Sequence, residues 1–140
     1  MKNNSTLGAT RLTQRHMKAR WRDLDPLGHV NTAVFLTYLE EARDGWLVQM
    51  FGQDFLPQNY VVARIEIDYR QQIFHGQEIV ATCKVEAVGR RSITTREELR
   101  SLDGQVIAEA SVVIVLWDDE RHMSRPLTES EYALLEGASD

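Results

Sequence analysis

Apolar and polar residues alternate along most of this chain, and in one stretch the apolar positions recur every three to four residues instead. Met17, Ala19 and Trp21 alternate with Lys18, Arg20 and Arg22, the period of a strand with one face covered. Val61, Ala63, Ile65, Ile67 and Tyr69 repeat the pattern as a long half-buried strand, and Ile79, Ala81, Cys83, Val85 and Ala87 do so again up to Gly89. Ile93, Thr95, Glu97 and Leu99 form a more polar strand ending near Leu102. From Val106 to Trp117 both parities are apolar, which predicts a strand covered on both sides. Between the first and second strands, Phe35, Leu39, Ala42, Trp46 and Met50 fall on one helical face, with Val34 and Tyr38 at its edge. Glu40, Glu41, Arg43 and Asp44 fill most of the opposite face, which Leu36 and Leu47 interrupt. The spacing therefore predicts a core helix from about Val30 to Met50, stopped by Gly52.

The connections are short. His75-Gly76 marks a turn, and Asp103-Gly104 predicts a type I′ hairpin turn. Gln53 to Asn59 holds Pro57 and reads as a loop, with Phe51 and Phe55 closing over the helix end. A strand, a long helix and four strands joined by tight turns imply an α+β fold, an antiparallel sheet packed on one buried helix. Residues 1–14 read as a flexible polar tail and 15–140 as a single domain, with a short terminal helix from Glu129 to Leu135.

With 140 residues the chain is long enough for one real core and too short for two. Its net charge of -5 argues against nonspecific nucleic-acid binding. No apolar run reaches the length of a membrane span and no secretory signal is visible, so a cytoplasmic location is expected. Cys83 stands alone in an apolar alternation and reads as a buried thiol. His16, His29, His75 and His122 have no metal-ligand spacing, and no glycine-rich loop precedes a helix, so neither metal nor cofactor is expected.

The candidate chemistry is concentrated between Arg22 and Asn31. Asp25-Pro26-Leu27-Gly28 reads as a β-turn, because Pro presets φ at its second position and Gly tolerates unusual dihedrals at its fourth. The helix start that follows offers unpaired N–H groups and a partial positive charge, which can polarise a carbonyl oxygen. A carboxylate beside it, Asp25, can attack an acyl carbon or activate a water. The plainer alternative is that Asp25 and Asn31 only shape the turn and cap the helix.

The run Asp23-Leu24-Asp25-Pro26-Leu27-Gly28-His29-Val30-Asn31, with the order of elements, resembles the hotdog-fold thioesterases of the 4-hydroxybenzoyl-CoA thioesterase type. The likeness extends from about Met17 to Trp117 and takes in Glu40-Glu41-Ala42-Arg43, Ile67-Asp68-Tyr69 and Gly89-Arg90-Arg91-Ser92. It implies about five antiparallel strands wrapped around one long helix, an acyl-CoA substrate, and a homodimer or homotetramer with active sites at the subunit boundary. It also implies Asp25 as nucleophile or general base and His29 as an orienting group. Asn31, Arg90, Arg91 and Ser92 would contact substrate, the arginines through the phosphates of CoA. Leu27 departs from related carrier-protein thioesterases, which have Asn there. Asn31, Thr32 and Ala33 replace the Tyr and Trp of benzoyl-type members, so no restriction to aromatic acyl groups is implied. A noncatalytic acyl-CoA-binding module, a carrier-protein thioesterase and a hotdog dehydratase are the competing readings.

Overall fold

The computed structural model describes residues 12–55 and 59–138. Five strands form one antiparallel sheet in the order β1-β3-β4-β5-β2: β1 Leu12–Lys18, β2 Tyr60–Tyr69, β3 Glu78–Val88, β4 Ser92–Ser101 and β5 Val106–Asp118. A two-residue strand, β6 Met123–Ser124, pairs with β5. Helix α1, Thr32–Phe51, packs on β1, β3 and β4, and α2, Glu129–Ala138, packs on α1 and β3. This is the hotdog arrangement expected above, with β1 and β2 as the sheet edges.

The core is built from the predicted periodicities. Phe35, Leu39, Ala42, Trp46 and Met50 of α1 are buried against Ile79, Ala81 and Cys83 of β3, Ile93 and Leu99 of β4, and Ile107, Val112 and Ile114 of β5. Tyr38 and Leu47 join them, so α1 is covered around more than one face. Phe51 stacks on Phe55 with ring centroids 4.9 Å apart, closing the helix end as expected.

Several expectations are corrected. The helix starts at Thr32, not Val30, because Val30 is held by a bridge to Leu24 and donates its N–H to the Ile73 carbonyl at 2.7 Å. The first strand begins at Leu12, where Leu12 and Thr13 pair with Lys84 and Cys83, so it starts within the segment expected to be tail. That strand ends at Lys18, and Trp21 lies in a 3₁₀ turn, Trp21–Asp23, 76% exposed rather than facing the core. The remainder of the expected tail and Pro57 lie outside the described residues. β2 is an edge strand with Val61 and Val62 exposed and Tyr60, Ile65 and Ile67 half-buried against the core. From Ala108 to Leu116, β5 is buried on one parity only, with Val113 and Val115 half-exposed on the other. The Asp103-Gly104 turn places only Gly104 at positive φ (+91°). Ser101 N–H bonds the Gln105 carbonyl at 2.9 Å across a three-residue loop, a different hairpin from type I′.

Arg43 is the largest departure. The helical wheel placed it with the acids on the polar face, yet it is 3% exposed and makes a two-pronged bond to Glu97, itself fully buried, at 2.8 and 3.0 Å. Thr95 donates to the same carboxylate at 2.6 Å, and the Cys83 thiol lies 3.8 Å away. Burial works against the Arg43 charge, but Glu97 outweighs it and holds the guanidinium firmly protonated.

Candidate active site

The segment from Asp23 to Asn31 folds as a small loop held by its own backbone. Asp25 N–H bonds the His29 carbonyl at 2.9 Å, and Gly28 N–H bonds the Asp25 carbonyl at 3.0 Å. Gly28 sits at φ +92°, a conformation that residues other than glycine adopt at a cost, so the predicted turn depends on it. Asp25 shapes that turn as well: its Oδ1 accepts the Leu27 N–H at 2.9 Å. Its other oxygen, Oδ2, lies 3.7 Å from His29 Nδ1, with the two side chains about a fifth exposed. The His29 and Phe74 rings stand nearly perpendicular, 6.1 Å between centroids, and a backbone bridge joins the two residues.

The loop leads straight into the helix start. Asn31 is its N-cap, with its side-chain oxygen accepting the Ala33 N–H at 2.8 Å. Asp25, His29, Val30, Asn31 and Thr32 face Tyr69, Arg70, Gln71, Gln72 and Phe74 across a cleft of about 580 Å³ that Phe35 also lines. Tyr69 packs edge-on against Phe35 at 5.2 Å and donates its hydroxyl to the Thr32 carbonyl at 3.3 Å. Asp25 is therefore neither sealed in the core nor directed at open solvent with no cleft beside it.

Of the residues singled out in the sequence, Asp25, His29 and Asn31 meet at this cleft, while Arg90, Arg91 and Ser92 are absent from its lining. They lie at the β3–β4 turn, where Arg91 donates to the Ser124 carbonyl at 3.0 Å and its hydroxyl at 3.2 Å, and Arg90 is exposed. The facing wall, Arg70 to Phe74, was not foreseen. It is a loop after β2, and nothing in the sequence Arg70-Gln71-Gln72-Ile73-Phe74 says that β2 runs beside the start of α1.

A second carboxylate supports the loop from behind. Asp23 is buried, accepts the Tyr38 hydroxyl at 2.6 Å and faces Arg20 Nε at 3.3 Å. Burial pushes its carboxyl up, but the bonds from Tyr38 and Arg20 outweigh this and hold it below the ordinary carboxylate range. The same burial, with Asp23 beside it, pushes the Tyr38 hydroxyl up, so the pair is a charged acceptor and a neutral donor.

Among the described residues no group of histidine, cysteine and acid side chains is arranged to hold a metal ion, and no helix is long and apolar enough to cross a membrane.

Comparison with known proteins places the chain in a family. The profile of the thioesterase-like superfamily matches residues 19–133. The long-chain acyl-CoA thioesterase FadM of Escherichia coli is 32% identical over 109 residues, which cover 75% of this chain and 83% of FadM. A thioesterase from Thermus thermophilus, solved with coenzyme A and zinc, is 31% identical and superposes with a TM-score of 0.82 over 90% of this chain and 92% of that one. A 1,4-dihydroxy-2-naphthoyl-CoA thioesterase from Synechocystis, at 16% identity and a TM-score of 0.76 over 89% of this chain and 95% of its own, shares the fold. The loop, the cleft and these relatives together lead to one conclusion: the chain belongs to the thioesterase-like superfamily and is a thioester hydrolase.

Proposed function

We propose that this protein hydrolyses acyl-CoA, with the Asp25 carboxylate acting on the thioester carbonyl carbon. The observation that carries the reading is the placement of Asp25 in one cleft with His29 and the start of α1. The Ala33 N–H is taken by Asn31, and Thr32 N–H, the first of the helix, has no acceptor within it. That N–H receives the carbonyl oxygen and stabilises the negative charge that develops there. Asp25 either attacks the carbon itself or removes a proton from the water that does. In both cases the carbon–sulfur bond breaks, CoA leaves as thiolate, and water supplies the oxygen of the released acid. His29, beside Oδ2, steers the carboxylate and the attacking water.

The aromatic walls of the cleft, Phe35, Tyr69 and Phe74, suit an apolar acyl chain, and FadM, named for long-chain acyl-CoA, favours the same class. Tyr69 belongs both to the cleft and to β2, the edge strand with exposed Val61 and Val62. A second copy pairing along β2 would cover that edge and bring its own residues to the cleft. Exposed Arg90 of such a copy, with Arg91 and Ser92 beside it, is the proposed contact for the CoA phosphates.

Thiol release from acyl-CoAs running from acetyl- to palmitoyl-CoA tests this reading. Release that rises with chain length is expected. Binding of acyl-CoA without thiol release at any length would make the protein a binding module instead.

A further inference from the structure

The site contains a buried pair that the hydrolysis itself does not use. Asp23 is 6% exposed and Tyr38 3%, and neither lines the cleft. Asp23 nonetheless holds the catalytic loop at two separate places. Its backbone carbonyl accepts the N–H of Asn31, the helix cap, at 3.0 Å, while its carboxylate accepts the Tyr38 hydroxyl at 2.6 Å. Tyr38 is seven residues beyond Asn31, two turns along the same helical face, and its side chain reaches back along α1 to Asp23, so two turns of the helix hold one residue, one through its main chain and one through its side chain. A single attachment would let the loop pivot about the helix end. Two, one on the main chain and one on the side chain of Asp23, fix its direction as well as its position.

From Asp23 the chain runs through Leu24, extended at φ -81° and ψ 149° and bridged to Val30, directly to Asp25. No flexible joint lies between the clamp and the carboxylate.

We propose that Asp23 and Tyr38 are positioning residues for hydrolysis, aiming the Asp25 carboxylate at the acyl carbon by clamping its loop to α1. The inference rests on the role proposed for Asp25. Its consequence differs from ordinary stabilisation, because a loop free to pivot still binds acyl-CoA but presents Asp25 in the wrong place. A displacement on the scale of 1 Å at a reacting group costs up to about a hundredfold in rate. The loss then falls on kcat, with KM little changed.

Tyr60 supplies the control, since its hydroxyl bonds the Asp44 carboxylate at 2.7 Å, and neither residue lines the cleft. Tyr38→Phe and Tyr60→Phe each remove one tyrosine–carboxylate bond on α1, but only the first releases the catalytic loop. Steady-state thiol release from the best acyl-CoA of the panel is compared for the parent, both variants and Asp25→Asn, with thermal unfolding run alongside. The expected result is a kcat at least tenfold down in Tyr38→Phe, with KM within about twofold, and a kcat unchanged in Tyr60→Phe. Asp23→Asn keeps an acceptor for Tyr38 and should retain more activity than Asp23→Leu, an ordering that carries the test should Tyr38→Phe not fold. Equal kcat in Tyr38→Phe and parent, equal losses in the two tyrosine variants, or equal activity in the two Asp23 variants would overturn the inference. Full turnover in Asp25→Asn would instead remove the reading on which it rests, as would a parent that releases no thiol.

Discussion

Arg43 and Glu97 meet in the core with almost no exposed surface, and such a pair is safe only while both members are present. Removing one leaves the other buried and unpaired, at a cost of about 3–5 kcal/mol. Arg43→Met should therefore lower stability in urea by that order, while Arg43→Met with Glu97→Leu should recover much of the loss, because buried ion pairs are often replaceable by apolar groups. A double variant no more stable than the single one would contradict this. Half of the pair was legible in the sequence: Glu97 shares its strand parity with Ile93 and Leu99, which face inward. Arg43 was not, since helical periodicity groups it with Glu40 and Asp44 and says nothing of a carboxylate waiting on a strand fifty-four residues away.

Asp23 adds a pH dependence at the same scale. Its folded pKa lies below the ordinary 3.8, so its contribution is fully present above that value and disappears as the pH falls through the lower folded one. The parent should be more stable than Asp23→Asn near neutrality, and the gap in Tm should narrow between about pH 5 and pH 2. A gap that stays constant through this range would show that the charge of Asp23 contributes nothing.

At the scale of elements, periodicity found β3, β4, β5 and both helices close to their observed limits, because their buried positions recur at a regular period, even where β4 buries Thr95 and Glu97 between Ile93 and Leu99. The errors fell where local bonding overrides periodicity. Alternation ran on through Trp21, but the chain turns there as Asp23 and Leu24 donate their N–H groups to the Arg20 and Trp21 carbonyls. It began α1 at Val30, although that residue's N–H is committed to Ile73. The true start is set by Asn31, and Asn31→Ala should cost about 1 kcal/mol in unfolding free energy while Asn31→Asp costs much less. Equal losses in the two variants would mean that the cap bond to Ala33 is not what stabilises this end.

Across the whole molecule, the cleft is assembled from residues 25–35 and 69–74, which the sheet order β1-β3-β4-β5-β2 brings together. The first segment was recognisable in the sequence from its turn, its carboxylates and its motif. The second has no local signature, and only the position of β2 as the edge strand beside the helix start gives it a role. Pairing of two copies along that edge, as proposed, predicts a sedimentation mass of about twice the 16.1 kDa of the chain, or four times if dimers pair. A monomer retaining full activity would show that the cleft is complete within one subunit.

Hydrolysis as proposed depends on Asp25. The most direct test is the turnover number of Asp25→Asn at saturating acyl-CoA, with folding confirmed by an unchanged thermal transition and substrate binding by an unchanged Kd. A loss of about a hundredfold or more is expected, since Asn can neither remove a proton from water nor attack the thioester. A variant that folds, binds and still turns over within a few-fold of the parent would contradict it.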